Sequence, residues 1–179
     1  MPNSPAKLKG TAWVCPDFTD SYKILPSKYW MGGESVWQLN AEELAPRVME
    51  GVDPNFAAQA KEGKYQFIVA GKMFGGGGKS IEHPIYAIKG TGIKAVLAES
   101  ISRYFYRNLI NNGVPVLICK GITEAVHTGD ELEVDLSAGK ISVVNGITLV
   151  ARPLPEIALK IIAKGGYINY MREKLATKT

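Results

Sequence analysis

One stretch constrains this chain more than any other. A compact apolar run, Tyr65 to Ala70, passes straight into Gly71-Lys72-Met73-Phe74-Gly75-Gly76-Gly77-Gly78-Lys79-Ser80, and a helical pattern around Ile85 and Ile88 follows up to Gly90. An apolar run bounded by polar and glycine residues suits a buried strand. Pro84 falls in the first turn of the helix, where a missing amide hydrogen costs little, and Ser80 is the expected N-cap. The same strand–turn–helix grammar repeats: Lys94 to Ala98 is a β-type run, Ser100 to Asn112 a helix ended by Gly113, and Val114 to Lys120 a further strand. Thr11 to Cys15 supplies an earlier strand. Such alternation implies parallel strands joined by crossover helices.

Elsewhere the pattern differs. Pro16-Asp17 ends the first strand before a polar loop with Thr19, Asp20, Ser21, Lys23 and Lys28. Asn40, with Glu42 and Glu43 in the first turn, starts a helix expected to run to Gly51, and Asp53-Pro54-Asn55-Phe56 opens a shorter one through Ala60. Glu131 to Leu136 alternates cleanly, Ser137 to Lys140 turns, and Ile141 to Val144 returns before Asn145-Gly146, a strong hairpin signal. Two helices follow, broken at Gly165-Gly166. No linker divides the chain. The expected fold is a single α/β domain over residues 1–179, with a core from about 10 to 170, a mixed sheet and an antiparallel β-hairpin appendage.

The chain carries 21 Lys and Arg against 17 Asp and Glu. The surplus comes from Lys7, Lys9, Arg172, Lys174 and Lys178 against Glu173, so the body is balanced. A nucleic-acid surface needs clustered excess cations, and none is expected here. The first thirty residues lack the apolar segment of a secretory signal, and no apolar run approaches the roughly 20 residues that span a bilayer. A cytoplasmic protein is expected. Cys15 and Cys119 stand far apart without CxxC or Cys/His spacing, so this chain is expected to build neither a zinc nor an iron–sulfur site of its own, and both are expected as reduced thiols at buried or half-buried sites.

A glycine-rich turn between a strand and a helix aims free backbone amides at one point, and the helix dipole adds positive potential. Each glycine costs about 1 kcal/mol of order relative to alanine in regular structure, and a simple turn needs only one or two. Four in a row from Gly75 to Gly78, followed by Lys79 and Ser80, therefore point to an anion site. Gly78-Lys79-Ser80 invites comparison with a nucleotide-phosphate loop, but that pattern requires glycine where Met73 stands.

The run Ile68 to Pro84, then Gly92-Ile93-Lys94-Ala95-Val96-Leu97-Ala98-Glu99-Ser100, then Tyr104 to Cys119, resembles the small subunit of isopropylmalate isomerases, the aconitase-superfamily swivel domain. Gly10-Thr11-Ala12-Trp13-Val14, Asp17, Asp20 and Ile24-Leu25-Pro26-Ser27-Lys28-Tyr29 are similar to that family's opening, so the resemblance covers about residues 10 to 170. It implies an aconitase-type swivelling β/β/α domain that closes over a [4Fe–4S] cluster held by a separate large subunit. The implied reaction is removal or addition of water on a hydroxy di- or tricarboxylic acid, nearest to 3-isopropylmalate in leucine biosynthesis. The cluster acts as Lewis acid on the leaving hydroxyl, and a serine of the swivel domain takes the proton.

Compared with the family loop F-G-C-G-S-S-R-E-H, this chain carries one inserted residue, Gly76 for the cysteine, Ile81 for the arginine, and Ser80 as the surviving serine. Two outcomes stay open: Lys79 takes over carboxylate binding with Ser80 as base, or the site has lost its chemistry. The first makes Ser80 and Lys79 the catalytic residues, with Gly77, Gly78, Lys79, Asp20 and Lys28 around the substrate. Asp20 has a second reading as the cap of a turn. His83 is read as structural and His127 as a surface residue, and Trp30 to Asn40 as a lid that sets specificity. Dimethylmaleate-type hydration, a non-catalytic swivel-fold scaffold and phosphate binding by the loop are the alternatives.

Overall fold

The computed structural model describes residues 7–30, 40–77, 81–144 and 146–176. Its first strand, β1 (Lys7–Cys15), runs through the middle of a seven-stranded sheet. After a polar loop come α1 (Ser21–Ile24), α2 (Ala41–Leu44) and α3 (Phe56–Lys61), then β2 (Phe67–Ala70), α4 (His83–Gly90), β3 (Ala95–Ala98), α5 (Arg103–Asn111) and β4 (Val116–Ile118). The chain continues with α6 (Ile122–Ala125), β5 (Glu131–Asp135), β6 (Lys140–Val143), β7 (Thr148–Val150), α7 (Glu156–Ala163) and α8 (Tyr167–Ala176).

The sheet order is β4-β3-β2-β1-β5-β6-β7. The first four strands pair in parallel, as the alternation predicts. Every residue of β2 and β3 is buried, which demands cover on both faces; by contrast β5 and β6 bury alternate residues, as a sheet with one wet face does. The antiparallel hairpin is added to the parallel strands through β1. The first five residues of β1 pair with β5 and its last four with β2, so the two halves form one sheet. Alternation in Lys7-Leu8-Lys9 carries β1 four residues upstream of its expected start, and Lys9 ends in an ion pair with Glu133 at 2.9 Å. After β7 the chain bridges both ends of the sheet: the Ala151 amide donates to Gly139 O at 2.7 Å and that of Arg152 to Ile118 O at 3.4 Å.

Two helical expectations need correction. The helix from Asn40 does begin with a capping box, Asn40 and Glu43 satisfying each other's backbone amides. It stops at Leu44, because Pro46 has no N–H for the next rung and its ring crowds the preceding turn; a 3₁₀ turn over Ala45–Arg47 follows, and Met49 turns left-handed at φ 60°. The helix after the glycine loop starts at His83 with Glu82 at the N-cap position, two residues beyond the expected cap; Ser80 itself lies outside the described residues. Pro84 does sit in its first turn.

Candidate active site

The carboxyl ends of β1 to β4 carry the loops where an open α/β sheet places its ligands. The 16–20 loop, the glycine loop and the 99–102 segment meet there and strap one another. Asp17 Oδ1 accepts from the Lys72 amide at 2.7 Å, and the Phe18 amide donates to Lys72 O at 2.8 Å. Ser100 takes the Met73 amide on its hydroxyl at 2.9 Å and the Phe74 amide on its carbonyl at 3.0 Å. The Gly75 amide donates to Thr19 O at 2.8 Å and that of Gly76 to Met73 O at 2.9 Å.

Five consecutive amides, Lys72 to Gly76, are thus turned into the protein. This corrects the expectation that the whole tetraglycine run offers its amides to a ligand. The bend is a rigid mount, and among the described residues its first amide without a partner is that of Gly77. The Gly77 carbonyl is fixed by two hydroxyls, Ser21 Oγ donating at 3.1 Å and Tyr104 OH at 2.9 Å, while Ser102 Oγ donates to Gly75 O at 2.9 Å. Gly77 also needs its glycine for a left-handed φ of 71°. Ser21, Ser100, Ser102 and Tyr104 escaped the sequence reading as loop-holding residues. Their signal was a concentration of hydroxyls at the ends of two expected strands.

Gly77 and Asp20 are brought together: a β-carbon on Gly77 would lie 3.5 Å from that of Asp20. Asp20 Oδ1 accepts from the amides of Tyr22 at 2.9 Å and Lys23 at 2.8 Å, capping α1 as the turn reading has it. Lys28 faces Glu50 at 2.9 Å, and Tyr29 OH donates to the same carboxylate. These contacts raise the Lys28 pKa, and the Tyr29 hydrogen bond followed by Lys28 lowers that of Glu50. Gly78, Lys79 and Ser80, and the lid segment from Met31 to Leu39, lie outside the described residues.

His83 is buried at 2% exposure and stacks on Trp30 with ring centroids 5.9 Å apart. Burial lowers its pKa, so it is neutral at neutral pH, and neither ring nitrogen has a hydrogen-bond partner. His127 is a surface residue, its ring 3.8 Å from Asp130. Both cysteines are buried, and burial pushes the Cys15 thiol up to about 12 and raises that of Cys119. Among the described residues no three His, Cys, Asp or Glu side chains converge on one point. No helix among the described residues is long and apolar enough to cross a membrane. With thiols so basic, neither cysteine is expected to react with a maleimide in the native chain at pH 8, and both should react once urea exposes them. Mass spectrometry counts the adducts, and one label taken up natively would contradict the burial.

The Aconitase C-terminal domain model matches residues 35–120. A curated relative from Methanocaldococcus jannaschii, the isopropylmalate/citramalate isomerase small subunit, is 43% identical over 94% of this chain and 96% of its own. The 3-isopropylmalate dehydratase small subunit 2 of Archaeoglobus fulgidus is 44% identical over 93% of this chain and 96% of its own. The crystal structure of a 3-isopropylmalate dehydratase from Methanocaldococcus jannaschii superposes with a TM-score of 0.83 at 35% identity, covering 96% of this chain and 97% of that one. A likeness of this degree over nearly the whole of both chains shows that this chain belongs to the 3-isopropylmalate dehydratase small-subunit family, with its aconitase-type α/β fold.

Proposed function

We propose that this chain is the small subunit of a cytoplasmic [4Fe–4S]-dependent hydro-lyase that dehydrates and rehydrates 3-isopropylmalate in leucine biosynthesis, together with a cluster-bearing large subunit. Near-full-length likeness to small subunits so named carries the reading. The cluster, on the large subunit, supplies the Lewis acid for the departing hydroxyl. In this reading Ser80 accepts the proton from the carbon beside a carboxylate, and Lys79 holds a carboxylate as a point charge where Ile81 replaces the family's arginine fork. Gly77 and Gly78 offer amides to the same anion, and Asp20 and Lys28 line the approach. The strapped bend ending at Gly77 supports this assignment, because donors and a base act on a developing charge only when they need not reorganise.

Since the Methanocaldococcus jannaschii relative is named for isopropylmalate and citramalate alike, citramalate is a second substrate to test. The chain alone should turn over neither compound. Mixed anaerobically with the reconstituted large subunit of its host, it should generate enoate absorbance in the ultraviolet from 3-isopropylmalate. Absence of turnover with both acids, from a pair shown to carry the cluster, would remove the reading.

A further inference from the structure

At the β4 edge a cleft of about 610 Å³ opens between α5, the end of β4 and the segment 152–155. Its lining includes the apolar residues Ile101, Ile118 and Pro153 together with three arginines, Arg103, Arg107 and Arg152. Arg103 and Arg107 are four residues apart on α5, on the face opposite the buried Phe105 and Leu109. Like charges at that spacing destabilise a helix, so the chain maintains this pair against a local penalty. Arg152 arrives from the far side of the cleft on the strand-bridging segment, close enough for its charge to oppose the rise that burial imposes on the Tyr106 phenol. Among the described residues no carboxylate forms an ion pair with any of the three arginines.

Further apolar side chains are exposed at the carboxyl ends of the parallel strands. Ile118 ends β4 at 37% exposure, Met73 follows β2 at 47% and Phe18 follows β1 at 61%. Phe18 and Met73 both adopt left-handed backbone conformations, φ 56° and 55°, which bulky residues rarely tolerate. The backbone is therefore held, through the Phe18–Lys72 and Met73–Ser100 hydrogen bonds, in conformations that leave these apolar side chains in water.

Arginine and tyrosine beside apolar residues is the composition of an interface hot spot. A small carboxylate would satisfy the arginines but leave Phe18 and Met73 at the strand ends uncovered; a protein surface covers both. Unpaired cations on this side call for acids on the other. We propose that the arginine cleft and the exposed apolar residues at the strand ends are the surface on which the large subunit docks, the cleft receiving an acidic side chain of that subunit beside an apolar one. The assignment rests on the two-subunit reading above and names the contact by which this chain is held to its partner.

The test measures association of the two chains by calorimetry, with turnover recorded separately at saturating small subunit. Charge reversal in the double variant Arg107→Glu, Arg152→Glu should weaken association by about 100-fold or more and flatten its salt dependence, with kcat at saturation within about two-fold of the parent. Arg107→Lys with Arg152→Lys should retain most of the affinity, and thermal melting of each isolated chain verifies folding. Unchanged affinity and salt slope in the charge-reversed chain would overturn the proposal. So would binding of malate or citrate to the free chain that is lost in the variant while association is untouched, since the cleft would then be a small-carboxylate site. A pair that associates through the arginines yet never dehydrates substrate upholds the docking surface and removes the hydro-lyase reading. Turnover indifferent to charge reversal at every subunit concentration does the reverse.

Discussion

Ser80→Ala is expected to lower kcat of the reconstituted pair by about 10²- to 10⁴-fold, the range that a general base contributes, while leaving assembly of the two subunits unchanged. A serine hydroxyl is a poor proton acceptor unless its anion is stabilised, so the prediction depends on what stands around it. Gly78 and Lys79 precede it directly, and the bend before them is immobilised at Gly77 by the hydroxyls of Ser21 and Tyr104. Lys79→Met should act differently. Losing a charge that binds substrate carboxylate raises KM, with a smaller loss in kcat, and Lys79→Arg should recover binding. Steady-state rates on 3-isopropylmalate separate the two patterns. A Ser80→Ala pair with parental kcat would end the assignment of Ser80 as base, and equal effects of Ser80→Ala and Lys79→Met on kcat alone would end the division of roles.

The loop was legible as an unusual backbone turn for a physical reason that the structure both keeps and amends. Consecutive glycines between a strand and a helix announce a backbone conformation that side chains would obstruct, and Gly75 and Gly77 do take left-handed φ values. Where the amides point depends on partners far away in sequence. Asp17, Thr19 and Ser100 arrive from the ends of other strands, so no local pattern could reveal that the amides of Lys72 to Gly75 are turned inward. The same distinction runs through the fold. Buried runs such as Phe67–Ala70 and the parallel order of β1 to β4 follow from periodicity and alternation. That β1 serves two partners and so joins the antiparallel hairpin to the parallel strands comes from pairing across more than a hundred residues, such as Lys7 with Asp135. The broken helix after Asn40 was foreseeable from Pro46, a residue that the apolar spacing of Leu44, Val48 and Met49 masked. Asp20 caps α1, as the turn reading has it, and its β-carbon stands close to Gly77.

Gly75→Ala is expected to cost about 2–5 kcal/mol, combining a left-handed backbone penalty with overpacking of a closed core. At φ 63° an added β-carbon would lie 2.2 Å from Cγ of Phe105, closer than real carbons approach. The ring has nowhere to go. Phe105 is fully buried, stands edge-on to Phe74 with centroids 5.4 Å apart, and belongs to α5, which packs against α4 and α7. Gly63→Ala isolates the backbone share of the penalty, because Gly63 has φ 82° with no atom within 4 Å of its β-carbon. That control should lose only about 1 kcal/mol. For a chain of this length the melting temperature should fall by roughly 5–15 °C in Gly75→Ala and by about 2–4 °C in Gly63→Ala. Phe105→Leu placed together with Gly75→Ala should give a combined loss smaller than the sum of the two, because each change relieves the contact that the other meets. Equal melting points for the two glycine variants would mean that the ring yields. The mount of the glycine bend would then be softer than its hydrogen bonds imply, and the case for a preorganised base at Ser80 would weaken with it, since the same bend fixes where the chain carrying that hydroxyl begins.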